Sequence, residues 1–337
     1  MIKPEPTRRA VIDVGRHCNC QCHFCYYSHL GDLLKQSYEE KETLKAQIDN
    51  AAARGNNYLD FTGGEPTICP HIAELIEYAE NKYGMKSCII TNALCGENTI
   101  YKLLNTCVDD FLVSIHGTKF VHDYLVNVKG AREKQERFLK IVCNEIPIRF
   151  NLVINRYNQH ELADVAKWAT QWNVKIFNFI NFNPHHEWQA DRAGTKKIIA
   201  NLRVVESELH KAIAILEKNG IGVNVRYYPM CRIASEYRRC ICNDYHVSFD
   251  PYEWDYNIFP KTFETHLKWA IAGSNGIEHK EFPCMICDLQ YICGGINKHY
   301  YSATDGMMIN AVRENIEDKY DFYQYRKDNV MTLKERV

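Results

Sequence analysis

Three cysteines are the first residues of this chain whose type and spacing could do chemistry. Cys18, Cys22 and Cys25 stand in the run Cys-Asn-Cys-Gln-Cys-His-Phe-Cys, with three and then two residues between them. On a loop, that spacing lets three thiolates converge on one face of a 4Fe–4S cubane. A structural cluster takes four protein thiolates. Three leave one iron open to a small molecule, as catalytic metal sites require. Cys20 falls between them and is expected to point away from its neighbours on the curved loop. Read alone, the segment also fits a zinc knuckle, or buried cysteines without metal.

A second motif lies downstream. Gly63, Gly64, Glu65 and Pro66 follow the apolar run Tyr58–Thr62. Paired glycines at a strand end let backbone approach a ligand without interference from Cβ. A carboxylate fixed just after them could accept hydrogen bonds from an ammonium group. A plain strand-to-helix turn restricted by Pro66 would read the same on its own.

Together, in this order and position, the two motifs resemble the radical S-adenosylmethionine (radical SAM) superfamily. The resemblance implies that Cys18, Cys22 and Cys25, with an aromatic residue at Phe24, hold a 4Fe–4S cluster. It implies that the open iron is chelated by the amine and carboxylate of S-adenosylmethionine, and that Gly63, Gly64, Glu65 and Pro66 receive the amine. Three weaker elements agree with it. Thr91-Asn92-Ala93 ends a third strand, and Ser114-Ile-His-Gly ends a fourth, where a serine often contacts the cosubstrate. Asn151 or Asn155, on and after a fifth strand, could reach the ribose. Each of these alone reads equally well as an ordinary strand terminus. One departure is visible: the helix-four arginine of many relatives has no clear counterpart around residues 126–130, so its carboxylate contact is unassigned.

A second cysteine group stands near the C-terminus as Cys284-Met-Ile-Cys287 and Cys293-Gly-Gly, with Cys231, Cys240 and Cys242 upstream. Two residues between thiolates is a chelate spacing common to zinc and iron–sulfur sites. A structural zinc site and unligated cysteines are the alternatives. This half resembles the SPASM and twitch extensions of the same superfamily, which hold one or two auxiliary 4Fe–4S clusters. The two-cluster form carries a further cysteine where this chain has Asn297, and no cysteine follows Cys293. A single auxiliary cluster is therefore expected, on Cys284, Cys287 and Cys293 plus at least one of Cys231, Cys240 and Cys242. Which upstream thiol binds is not legible, and an open iron there could hold substrate.

The elements that must position these residues are legible as alternation. Strands are expected at Ala10–Val14, Tyr58–Thr62, Ser87–Thr91, Phe111–Ile115, Ile146–Ile154 and Val174–Ile180, with amphipathic helices between them. Strand–helix units in series imply parallel strands with right-handed crossovers. The expected fold is α/β, a partial (βα)6 TIM-like barrel whose strand C-terminal loops carry function. A long helix over residues 195–219 and a strand at 222–226 follow. A small Cys-rich C-terminal auxiliary-cluster extension is expected to need a metal staple. The division is placed at 1–220 for the core and 221–337 for the extension. The basic stretch Lys129–Lys140 alternates with glutamates and reads as a solvated helix face.

Composition narrows the class. The chain has 337 residues, 46% hydrophobic and 25% charged, with a formal net charge of -1. No bulk field steers such a protein to nucleic acid or anionic lipid. No apolar run reaches membrane-spanning length, and the N-terminus lacks a signal-peptide core. A cytoplasmic location is expected, where 15 cysteines need another reason than disulfides.

The resemblance implies an oxidoreductase chemistry. One electron reaches the first cluster from an external donor such as flavodoxin or ferredoxin. S-adenosylmethionine is cleaved to a 5′-deoxyadenosyl radical, and the radical removes a hydrogen atom from substrate. His185, His186 and Glu187, on the loop after strand six, are candidates for substrate contact and for taking the released proton, as is His116. Arg226, Tyr227 and Tyr228 could bind an anionic substrate. In each case helix capping or packing is the plainer reading. A small-molecule substrate is expected over a peptide or protein, because only 17 residues precede Cys18 and a separate N-terminal peptide-recognition domain does not fit there. A non-catalytic iron–sulfur or zinc protein would explain both cysteine groups but not the glycine–glutamate loop.

Overall fold

The computed structural model describes residues 9–25, 27, 37–184, 192–242, 278–279, 282–290, 293, 295–304 and 309–314. In chain order the elements are β1 (Arg9–Asp13), α1 (Lys41–Ala53), β2 (Tyr58–Thr62), α2 (Ile72–Tyr83), β3 (Lys86–Thr91), α3 (Glu97–Leu104), β4 (Asp110–Ser114), α4 (Lys119–Val126), α5 (Ala131–Val142) and β5 (Ile148–Ile154). They continue with α6 (Leu162–Ala169), β6 (Val174–Asn181), α7 (Arg192–Ile198), α8 (Leu202–Lys218), β7 (Gly222–Arg226) and β8 (Ile241–Cys242). The strands hydrogen-bond in strict sequence order, β1 to β8. Pairing is parallel from β1 to β4 and from β6 to β8. Sequential parallel strands joined by helices are the topology of a (βα) barrel. Every expected strand is present, with ends shifted by two residues at most. β7 and β8 continue the sheet, so residue 220 is not one of its edges.

The described residues form two compact units, one from residues 9–115 and 122–150, the other from 116–121 and 151 onward. In the first, β1, β2 and β4 are buried almost throughout, with Ala10, Ile12, Leu59, Phe61, Phe111 and Val113 fully buried. Helices α2 and α5 add Leu75, Ile76, Phe138 and Leu139 to the same core. In the second, Phe177 and Phe179 on β6 are in register with Val223 and Val225 on β7. All four are buried, as are Val165 and Ala166 on α6 and Leu209 and Ile213 on α8.

Two expectations are corrected. The helix read as one piece over 195–219 is two, α7 and α8. Asn201 ends the first run because its side chain accepts from Arg203 N at 3.0 Å, an N-cap that starts α8 afresh. The charged run on α5 is not all solvated, since Arg132 is 3% exposed and Gln135 is fully buried.

A buried ionic network also occupies the first unit, at the strand ends opposite the cysteine loop. Arg9 on β1 bonds the carboxylate of Asp60 on β2, with Nε to Oδ2 at 2.8 Å. Arg149 on β5 donates to Asp110 Oδ1 on β4 at 2.8 Å, and Tyr58 donates to the other oxygen. The Arg149 guanidinium also lies 3.7 Å from Asp60. Two cations thus meet two anions, so burial leaves no net charge.

Candidate active site

The cysteine-bearing loop runs over the C-terminal end of β2. Gly64 N donates to Gly15 O at 2.7 Å and Glu65 N to His17 O at 2.8 Å. Farther along, Gln21 N and His23 N donate to the carbonyls of Val126 and Leu125 at the end of α4. The loop is therefore clamped on two sides by backbone. The paired glycines serve this crossing: a Cβ on Gly63 would stand 2.3 Å from Gly15 O, and one on Gly64 2.1 Å from His17 O. The close approach that glycine permits is thus made by the loop itself.

Cys18, Cys22 and Cys25 are half-buried on this loop, as is Phe24. Cys20 does not point away. It is 8% exposed and packs with Leu94, Val126 and Ala131. Its thiol is hydrogen-bonded to those of Cys18 and Cys22. The bond from Cys20 holds the Cys18 thiol below the usual range, and the same contacts hold the Cys20 thiol above it. Asn92 Nδ2 lies 3.3 Å from Cys20 Sγ and donates to Asn19 Oδ1 at 2.7 Å, which ties the loop to the end of β3.

Glu65 is 1% exposed, and its carboxylate already has four protein donors. Thr67 N, Thr67 Oγ1 and Thr91 Oγ1 reach Oε1 at 3.0, 2.6 and 2.6 Å. Asn92 N reaches Oε2 at 2.7 Å. Burial pushes its carboxyl up, against these hydrogen bonds. Glu65 is thus a strut between the ends of β2 and β3, with Pro66 opening the single turn that carries Thr67. Gln135 on α5 extends the same bracing. Its Nε2 donates to Asn92 O at 2.9 Å and to Ser114 O at 2.8 Å, joining the ends of β3 and β4. Gln135 falls within the stretch Lys129–Lys140, expected from the sequence to be a solvated helix face. It occupies a stripe position between Ala131 and Phe138, both buried, which is the signal that could have found it.

In the second unit the other candidates are more committed than expected. His116 is 5% exposed, and its Nδ1 accepts from Val153 N at 3.3 Å. Asn155 is fully buried, with Nδ2 on Val153 O and Oδ1 on Tyr157 N. Asn151 is half-buried on β5. Tyr228 is fully buried and donates to the Arg232 carbonyl at 3.1 Å, the packing alternative, whereas Arg226 is half-buried on β7. Tyr227 has φ 56° and accepts from Asn181 Nδ2. His185, His186 and Glu187 lie outside the described residues.

The C-terminal cysteines divide. Cys231, Cys284, Cys287 and Cys293 line one recess, with Leu289 and Asn310 beside them. Cys240 is elsewhere: it is 1% exposed, with Sγ 3.7 Å from Glu217 Oε1, and burial pushes its thiol up to about 12. Arg239 holds the same Glu217 carboxylate with two 2.8 Å bonds. Cys242 closes β8, and its side chain is outside what is described.

Comparison with known proteins bears on the first unit most. Residues 12–169 match the family model described as the Radical SAM superfamily. A curated relative, the Fe-coproporphyrin III synthase of Methanosarcina barkeri, is 32% identical over 200 residues, 58% of this chain and 48% of that protein. The AdoMet-dependent heme synthase of Nitratidesulfovibrio vulgaris is 28% identical over 178 residues, 50% of this chain and 48% of that one. The match thus spans about half the length of these two relatives. Among solved structures, Streptococcus suis SuiB bound to S-adenosylmethionine superposes with a TM-score of 0.59 at 15% identity, covering 89% of this chain and 75% of that one. The native anSMEcpe structure with bound AdoMet gives 0.54 at 14% identity, over 98% and 99%. At such identities the likeness shows the fold, that of a partial TIM barrel. Where the fold alone would leave the chemistry open, the family match falls on the segment that carries Cys18, Cys22, Cys25 and the glycine–glutamate loop: residues 12–169 form a radical SAM domain, of a superfamily whose enzymes use a 4Fe–4S cluster and S-adenosylmethionine.

Proposed function

We propose that this chain is a radical SAM oxidoreductase acting on a small molecule, with an auxiliary cluster in a SPASM/twitch-like extension over 221–337. The observation that carries the first part is the clamped loop. It presents three half-buried thiols while its backbone is fixed to Gly64, Glu65 and the end of α4. That donor set fits a 4Fe–4S cluster with one open iron. When bound, the reduced cluster supplies the electron that splits S-adenosylmethionine into methionine and a 5′-deoxyadenosyl radical able to take a hydrogen atom from substrate.

The protein's own part is position and exclusion of water. Cys18, Cys22 and Cys25 would ligate, and Phe24 would shield. The backbone of Gly63 and Gly64 would meet the cosubstrate amine, since the Glu65 carboxylate is occupied by Thr67, Thr91 and Asn92. Ser114 and Asn151 are proposed to face the rest of the cosubstrate. His185, His186 and Glu187 are proposed to meet substrate. Asn155 and His116, bonded as they are to backbone, would shape the β5 end rather than react. An external one-electron donor such as flavodoxin or ferredoxin completes the system.

The names of two relatives, Fe-coproporphyrin III synthase and AdoMet-dependent heme synthase, support a small molecule as substrate. The test is anaerobic reconstitution with iron and sulfide, then incubation with S-adenosylmethionine and dithionite. Release of 5′-deoxyadenosine is expected, and none from a variant with Cys18, Cys22 and Cys25 all changed to Ala. Equal release from that variant would overturn the reading.

A further inference from the structure

We infer that the auxiliary site is a closed 4Fe–4S centre on Cys231, Cys284, Cys287 and Cys293, with Cys240 taking no part. This rests on the reading of the C-terminal cysteines as a cluster site and names its ligands. Sequence alone left three upstream thiols equivalent.

The four cysteines come from three separated places and border one recess. Cys287 follows Cys284 in a tight turn, its N on the Cys284 carbonyl at 3.2 Å, and Cys293 N closes the next turn on Leu289 O at 2.9 Å. Cys231 arrives from the single turn Met230–Arg232. Among the described residues, no three His, Cys, Asp or Glu side chains stand close enough to share one ion.

Backbone amides are aimed at the sulfurs. Val312 N donates to Cys287 Sγ at 3.4 Å and Gly295 N to Cys293 Sγ at 3.4 Å. Asn310 lines the same recess as Cys231. Residues 310 and 312 thus lie beside the cysteines, Asn310 on the recess and Val312 bonded to Cys287. N–H···S bonds of this kind stabilise thiolate charge and tune cluster potential. Arg238 secures the framework, bonding Met230 O through Nε at 3.2 Å and pairing with Glu314. Cys240, by contrast, does not border the recess: it is 1% exposed, with its Sγ between Glu217 Oε1 at 3.7 Å and Arg239 Nη1 at 3.6 Å.

Four protein thiolates leave no open iron. The centre would therefore not chelate substrate, and its role would be confined to electron transfer.

The test uses the full chain with Cys18, Cys22 and Cys25 changed to Ala, reconstituted with ferrous iron and sulfide. About four irons per chain and a cubane electron paramagnetic resonance signal on reduction are expected. Adding Cys231→Ala should abolish that signal and cut iron at least twofold, whereas adding Cys240→Ala should leave both unchanged. Circular dichroism of each variant checks folding, and Cys231→Ser serves where Cys231→Ala unfolds. Full loading in both Cys231 variants, equal loss with Cys240→Ala, or zinc that iron cannot displace would overturn the assignment. Iron in the unmodified chain that vanishes in the triple variant would remove the auxiliary centre while leaving the radical SAM reading intact. Iron unaffected by the triple change would do the reverse.

Discussion

A methyl group on Gly64 would stand 2.1 Å from the carbonyl oxygen of His17, closer than any Cβ packs. The neighbour is backbone, held by the Glu65 N to His17 O hydrogen bond, so it cannot swing away. Relief would have to come from lifting the whole cysteine loop. Gly64→Ala is therefore expected to destabilise the fold by about 1–3 kcal/mol, the usual cost of overpacking, and to impair iron retention beyond what that loss explains. Thermal melting and iron content after reconstitution, compared with Gly96→Ala, check it, because nothing lies within 4 Å of a Cβ on Gly96. At this scale the sequence shows which cysteines share a loop and less of what supports that loop. Spacing does not reveal that the glycines admit that loop, or that Glu65 is saturated by Thr67, Thr91 and Asn92, because those partners come from the ends of two strands, β2 and β3.

Elements of the site are held together by side chains that bridge strand ends, and α5 shows how. The Gln135 amide joins the carbonyls of Asn92 and Ser114, while among the described residues no partner meets its own Oε1. Replacing it with Leu keeps the volume and strips both carbonyls of a buried donor, at about 1–3 kcal/mol. The expected outcome is a lower melting temperature and roughly tenfold weaker S-adenosylmethionine binding, with iron content preserved. Calorimetric titration on the reconstituted enzyme separates the two; unchanged affinity would mean the β3 and β4 ends hold their places without it. Strand positions were readable because apolar residues cluster in β1, β2 and β4 between turns. The break at Asn201 was not, since helical periodicity passes through it and only the cap marks the stop.

At the scale of the whole molecule, the Arg9, Asp60, Asp110 and Arg149 network joins four strands, through partners 51 and 39 residues apart in sequence. No local pattern announces such pairs, which is why strand reading recovered the sheet but not its charged floor. The network makes stability depend on pH. Burial pushes the Asp110 carboxyl up, but Arg149, Arg9, Cys88 and Tyr58 more than reverse this and hold it below the usual carboxylate range. A carboxyl depressed on folding contributes stability that is present above its unfolded pKa, near 3.9, and is lost as pH falls through the folded value. The wild-type chain should thus hold its denaturation midpoint down to about pH 4 and lose it steeply below. Asp110→Asn leaves Arg149 without its closest counter-charge and should cost about 3–5 kcal/mol at pH 7. Its midpoint should then fall less than the wild type's between pH 5 and pH 3, because the group that titrates is gone. Urea titrations of both proteins across that range decide the matter: parallel acid limbs would show that other carboxylates govern acid stability, and that the pair in the sheet floor is neutral to it.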